Sequence, residues 1–226
     1  MSDALTLILK IRELGSTLRH TISAFQMDTA VILLQTQAYI KETFSMDGTG
    51  HDYFHVARVV QHANKLLETE TADHFLVNLA AWTHDLGDYK LHAGVDKSTQ
   101  MISAFLSSIG VTASVINQVT EIVSQVSFSK GRTPTSAEAR IVQDADRLDA
   151  IGAIGIARCF AYGGSTGNLL FNPEDNTPNA SSIQHFYDKL LLLKDLMHTP
   201  TARQMALQRH QFMEDYLRQF YFEACY

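Results

Sequence analysis

Apolar residues recur every three or four positions along most of the chain. In residues 52–69, His55, Val59, Ala63 and Leu66 fall on one face. In 73–87, Leu76, Ala80 and His84 stack beside Val77, Ala81 and Asp85, and in 136–150 Val142, Asp146 and Ala150 line up. This spacing marks amphipathic helices, and strand-like alternation is scarce. The pattern predicts helices near 28–44, 52–69, 73–87, 97–109, 112–126, 136–150, 151–161, 182–197 and 200–222. Breaks fall at "SMDGTGHD", "SKGRTPTS" and "YGGSTGNLLFNPEDNTPNAS". The last is long for a compact domain, and such loops often serve as lids or interaction sites. No internal repeat or linker divides the chain. The expectation is all-α: one helical bundle of roughly eight to ten helices over residues 26–226, with 1–25 as a peripheral N-terminal segment.

Four ionisable residues interrupt the apolar faces: His55, the His84–Asp85 pair inside "AAWTHDLGDYK", and Asp146. A buried carboxylate is costly unless it is paired or bound to a cation. Taken singly, an inward histidine is usually a core residue with a hydrogen-bond partner. Four inward groups on three helices each need a partner, and one shared divalent cation would supply it to all. Two imidazoles and two carboxylates suit Mn, Mg, Fe, Co, Ni or Zn, and lack the thiolates of a structural zinc site. An incompletely filled coordination sphere is what a hydrolytic centre needs. Asp144 and Asp149 flank Asp146 and compete with it; a neighbouring acid can instead orient a ligating histidine or cap the next helix.

Charge and composition narrow the function further. The formal net charge is −6 with no long basic run, which argues against polymeric nucleic acid as a partner and leaves small phosphorylated ligands. The two cysteines, Cys159 and Cys225, have no CxxC spacing, so a disulfide framework or zinc knuckle is not expected and a reducing cytoplasm is the simplest compartment. The start of the chain lacks the pattern of a signal peptide, and no run approaches the roughly 20 apolar residues of a membrane span.

Several other motifs have ordinary readings. "HDYFH" mimics the HExxH zinc-protease helix, but Asp is shorter than Glu and His51 sits at the helix entrance; His51 or Asp52 reads better as an N-cap, with His51 also at the pocket rim. "YGGSTG" lacks the Gly-Lys-Ser/Thr ending of a phosphate loop, and its glycines are expected to end the seventh helix. The aromatic stripe "FMEDYLRQFYFEACY" reads as core or as a contact in a homodimer.

The order H…HD…D, with the phrases "HDYFHVARV", "WTHDLGDYK", "IVQDADRLDAIGAIGIARCFAYGG" and "HFYDKLLLLKDLMHTPTARQMA", resembles the HD-domain superfamily of metal-dependent phosphohydrolases. Within it the likeness is to the single-domain bacterial YpgQ/YedJ-like group, over roughly residues 30–222. The resemblance implies one divalent metal ion held by His55, His84, Asp85 and Asp146. Among the three acids of the sixth helix it selects Asp146, which directly precedes Arg147. Asp85 would also orient the nucleophilic water, and Asp88 stands where some members carry a proton-handling acid. Arg58, Lys90, Arg147 and His51 are the expected substrate-binding residues. The implied substrate is a small phosphorylated metabolite, with nucleoside triphosphate pyrophosphohydrolase activity favoured. A non-catalytic metal- or nucleotide-binding sensor is the alternative.

Overall fold

The computed structural model describes residues 29–44, 52–89, 94–127, 131–174, 177–178 and 180–224. The expected helix in 1–25 lies outside them, as do His51, Lys90 and Cys225. The described helices are α1 (29–43), α2 (Tyr53–Leu67), α3 (His74–Thr83), α4 (Ser98–Ser108), α5 (Ala113–Ser124), α6 (Ala137–Asp149), α7 (Gly152–Ser165), α8 (Ser182–Asp188), a 3₁₀ helix (Leu190–Leu196) and α9 (Pro200–Ala224). No strand occurs among the described residues, and none of the helices is long and apolar enough to cross a membrane.

Side-chain caps define several of the starts. Asp52 accepts from the His55 N–H at 2.7 Å and opens α2; Asp73 caps α3, Ser136 caps α6 and Ser181 caps α8. A cap of this kind satisfies an N–H that the helix cannot pair internally. Helix α2 packs on α6 and α3, α3 also packs on α5 and α6, and α9 lies against α7, α6 and the 3₁₀ segment. Val59 and Ala63 of α2, Val77 and Ala80 of α3, and Val142 and Leu148 of α6 are fully buried where these helices meet. The apolar stripes predicted from spacing are therefore the contact faces, and the polar residues embedded in them are carried inward.

The structure departs from the expected helix limits in three places. Helix α3 stops at Thr83, so His84–Gly87 form a tight turn in which the Leu86 N–H donates to the Thr83 carbonyl. Gly87 ends the turn at φ +81°, and a Cβ there would lie 2.7 Å from the backbone of Lys97 and Ser98. The Lys97 N–H donates to the Gly87 carbonyl at 2.9 Å, fixing the start of α4 against this turn. Helix α7 continues through Gly163 and Gly164 to Ser165, past the expected end at 161. Its stop is Gly167 at φ +74°, while Gly163 lets Ser182 approach, whose Oγ would sit 2.2 Å from an added Cβ. Finally, the helix expected over 182–197 breaks at Lys189 (φ −143°, ψ −60°) into α8 and the 3₁₀ helix. Residues three apart share a line in a 3₁₀ helix, which buries Leu190 and Leu193 together while Leu192 stays exposed.

Candidate metal centre

His55 enters from the first turn of α2, His84 and Asp85 from the turn that follows α3, and Asp146 from the last turns of α6. Because these three helices pack on one another, the four side chains meet. The Nε2 atoms of His55 and His84 are 3.3 Å apart. Asp85 brings Oδ2 to 3.3 Å from the His55 Nε2 and Oδ1 to 3.4 Å from the His84 Nε2. Asp146 Oδ1 lies 3.6 Å from the first imidazole and 3.8 Å from the second. His55, His84 and Asp146 each offer a ligand atom within 4.8 Å of the others.

The outer nitrogens of the two rings explain why the inner ones face each other. His84 Nδ1 is 2.8 Å from the Ala81 carbonyl, which can only accept, so Nδ1 carries the proton. His55 Nδ1 is 2.7 Å from Asp149 Oδ2 and is protonated for the same reason. In the neutral tautomers both Nε2 atoms then present lone pairs toward one point, alongside carboxylate oxygens. Four acceptors converging in a buried space fit a cation, and a histidine held by a carboxylate through its other nitrogen is the usual support of a metal ligand.

Asp149 anchors this support. Its Oδ1 accepts from Arg58 Nε at 2.6 Å, and its Oδ2 accepts from Arg58 NH2 at 3.1 Å and Arg158 NH1 at 3.0 Å, besides His55. Burial alone would raise this carboxyl; the bonds from His55 and Arg58 outweigh it and hold the group well below the usual carboxylate range. Burial likewise disfavours a charged His55, but hydrogen bonds to Asp149 and Asp85 overcome it and raise its pKa. Asp144 has the other role open to these acids. It accepts from the His198 N–H and from the N–H and hydroxyl of Thr199, tying α6 to the start of α9.

A cleft of about 900 Å³ opens on the centre. His84, Asp85, Asp88 and Asp146 line one part, and Arg158, Tyr162, Thr166, Asn168, His185 and Lys189 line others. Asp88 thus shares the cleft with the ligand set, separated from Asp85 by the turn rather than by a helical turn. Arg58 is engaged with Asp149, and Arg147 donates to the Leu196 carbonyl and approaches His198 Nε2 at 3.2 Å. Sequence reasoning passed over Arg158, His185 and Lys189. A signal was available for Arg158: Gly155, Arg158, Cys159 and Tyr162 repeat at helical spacing and all line the cleft. Cys159 is no nucleophile at neutral pH, since burial pushes its thiol up to about 11.

Fold and site together define a class: an all-helical domain built around a His/Asp centre suited to a divalent cation, open to a ligand-sized cleft. The family model of the HD domain matches residues 52–151, the span that carries all four converging residues. The chain is 41% identical to YpgQ of Bacillus subtilis, over 82% of its own length and 90% of that protein's. It also resembles the crystal structure of Bacillus subtilis YpgQ in complex with ADP, with a TM-score of 0.71, 37% identity and coverage of 84% of this chain and 97% of that one. An HD-superfamily hydrolase from Bacillus thuringiensis matches with a TM-score of 0.70 and 38% identity, covering 86% of this chain and 97% of that one. The chain belongs to the HD-domain family.

Proposed function

We propose that this protein is a divalent-metal-dependent phosphohydrolase acting on small phosphorylated metabolites, with nucleoside triphosphates as the favoured substrates and pyrophosphate as the favoured product. The observation that carries the reading is the convergence of two Nε2 lone pairs and two carboxylates at the wall of a cleft large enough for a nucleotide. That a relative's crystal structure holds ADP supports the nucleotide part.

His55, His84, Asp85 and Asp146 would hold the ion, at ligand distances of about 2.0–2.3 Å. Bound there, it would supply Lewis acidity toward a phosphoryl oxygen and make a water more acidic. Asp85, with one oxygen toward each imidazole, orients the attacking water. Asp88, in the same cleft, takes up the proton that water loses or delivers one to the leaving oxygen. Cations along the cleft offset the charge of the phosphates. The net charge of −6 suits a compact substrate better than a polyanion, which would be repelled over a broad surface.

The test is a hydrolysis panel of nucleotides, sugar phosphates and oligonucleotides with Mn²⁺, Mg²⁺, Co²⁺ and Ni²⁺, resolving phosphate from pyrophosphate. Release of pyrophosphate from nucleoside triphosphates is the expected result. Cleavage of oligonucleotides with no turnover of any mononucleotide would overturn the substrate assignment. Tight nucleotide binding without turnover would convert the reading into that of a sensor.

A further inference from the structure

The charges around Asp149 do not balance. This carboxylate, 1% exposed, is already paired through both oxygens with Arg58, which supplies one full positive charge. A second guanidinium, that of Arg158, also donates to it at 3.0 Å. One carboxylate neutralises one cation, so the pair of arginines leaves a surplus positive charge buried to 17% exposure. The two arginines also face different ways. Arg158, on α7, lines the cleft together with Asp146, His84 and Asp85, whereas Arg58 sits on α2 behind His55. A buried charge in excess of its partner is expensive unless a ligand completes it. A guanidinium has five N–H donors in a planar fork, more than one carboxylate oxygen can accept, and the fork matches phosphate.

We propose that Arg158 is the phosphate-reading residue of the cleft: it takes the charge of a substrate phosphate next to the metal centre while an N–H stays on Asp149. This inference rests on the phosphohydrolase reading and deepens it, selecting a di- or triphosphate over a neutral or monophosphorylated compound. Arg58 then has a different task, holding Asp149 in place for His55 and contributing to phosphate binding only through the metal. The same carboxylate thus ties the phosphate site to the imidazole that faces the centre, so the two sites share one rigid support.

The experiment measures ADP and inorganic pyrophosphate binding by calorimetry to protein saturated with Mn²⁺, together with Mn²⁺ affinity, for wild type, Arg158→Ala, Arg158→Lys and Arg58→Ala. Circular dichroism verifies the fold of each. Arg158→Ala should weaken ADP and pyrophosphate alike by about 10- to 100-fold, the loss of a charge-assisted hydrogen bond, and move Mn²⁺ affinity by less than about threefold. Arg158→Lys keeps the charge but loses the fork and should fall between. Arg58→Ala should weaken Mn²⁺ and leave pyrophosphate affinity of the saturated protein near that of wild type. Unchanged pyrophosphate affinity in both Arg158 variants overturns the proposal. So does a loss confined to ADP, which would make Arg158 a nucleoside contact, or no binding of pyrophosphate by wild type. If wild type binds pyrophosphate through Arg158 yet hydrolyses nothing, the phosphate site stands and the enzymatic reading falls.

Discussion

Replacing Asp149 by Asn keeps its volume and removes its charge, and the consequences can be worked out bond by bond. Asp149 accepts from His55 Nδ1, from two nitrogens of Arg58 and from Arg158. An amide oxygen facing Arg58 turns the amide N–H₂ toward His55 Nδ1, where a donor already stands. The imidazole relieves this by moving its proton to Nε2, which then points an N–H at the metal centre. Loss of such a supporting acid typically costs about 10- to 100-fold in metal affinity. Two arginines are also left beside a neutral group, and breaking a buried ion pair costs about 3–5 kcal/mol. Arg58 keeps some solvent access, with 29% of its side chain exposed, so the lower end applies. At about 2–4 °C per kcal/mol for a domain of this size, the metal-free Tm should fall by about 6–12 °C. The assay pairs scanning calorimetry of metal-free protein with titration of Mn²⁺ into wild type and Asp149→Asn. Metal affinity within twofold of wild type would refute the orienting role even if the Tm fell, and an unmoved Tm would refute the ion-pair account.

Asp88→Asn should keep metal content and melting behaviour but lower kcat by about 10²- to 10⁴-fold, because Asp88 shares the cleft without belonging to the converging ligand set; undiminished turnover would leave it a mere turn residue. Gly87→Ala should cost at least about 2 kcal/mol in denaturant unfolding, since it joins a left-handed φ to a 2.7 Å approach to the Lys97 backbone, and an unchanged midpoint would show that the turn relaxes freely. His62 gives a pH prediction. Burial and the neighbouring Arg209, whose guanidinium nitrogens lie 3.3 Å from its Nε2, lower its pKa from 6.5 to about 4. The unfolded chain therefore binds the proton more readily, so the stabilisation is complete above about pH 6.5 and is lost as pH falls toward 4. His62→Gln should flatten the loss of stability in that window by on the order of 2 kcal/mol, and identical pH slopes in the two proteins would exclude His62 as a source.

The helical class and the convergence of His55, His84, Asp85 and Asp146 were legible from spacing, because a 3.6-residue period places residues on faces without reference to any other element. The same logic put Asp52 at an N-cap, where its side chain accepts from the His55 N–H. The endings of α3 and α7 and the split at Lys189 were not legible, for they depend on neighbours outside the segment. Gly87 is needed because Lys97 packs against it, and Gly163 sits inside a helix because Ser182 approaches there. Charge partners were the least visible of all. Asp149 lies 94 residues from His55 in sequence, and its choice of role over Asp144 follows from which helix each acid faces after α6 has packed against α2 on one side and the start of α9 on the other. Periodicity alone determined which side chains turn inward. Which of them meet, and that Arg158 faces the cleft while Arg58 stands behind His55, was decided only by the packing of α2, α6 and α7, because a local repeat carries no information about the distance between segments.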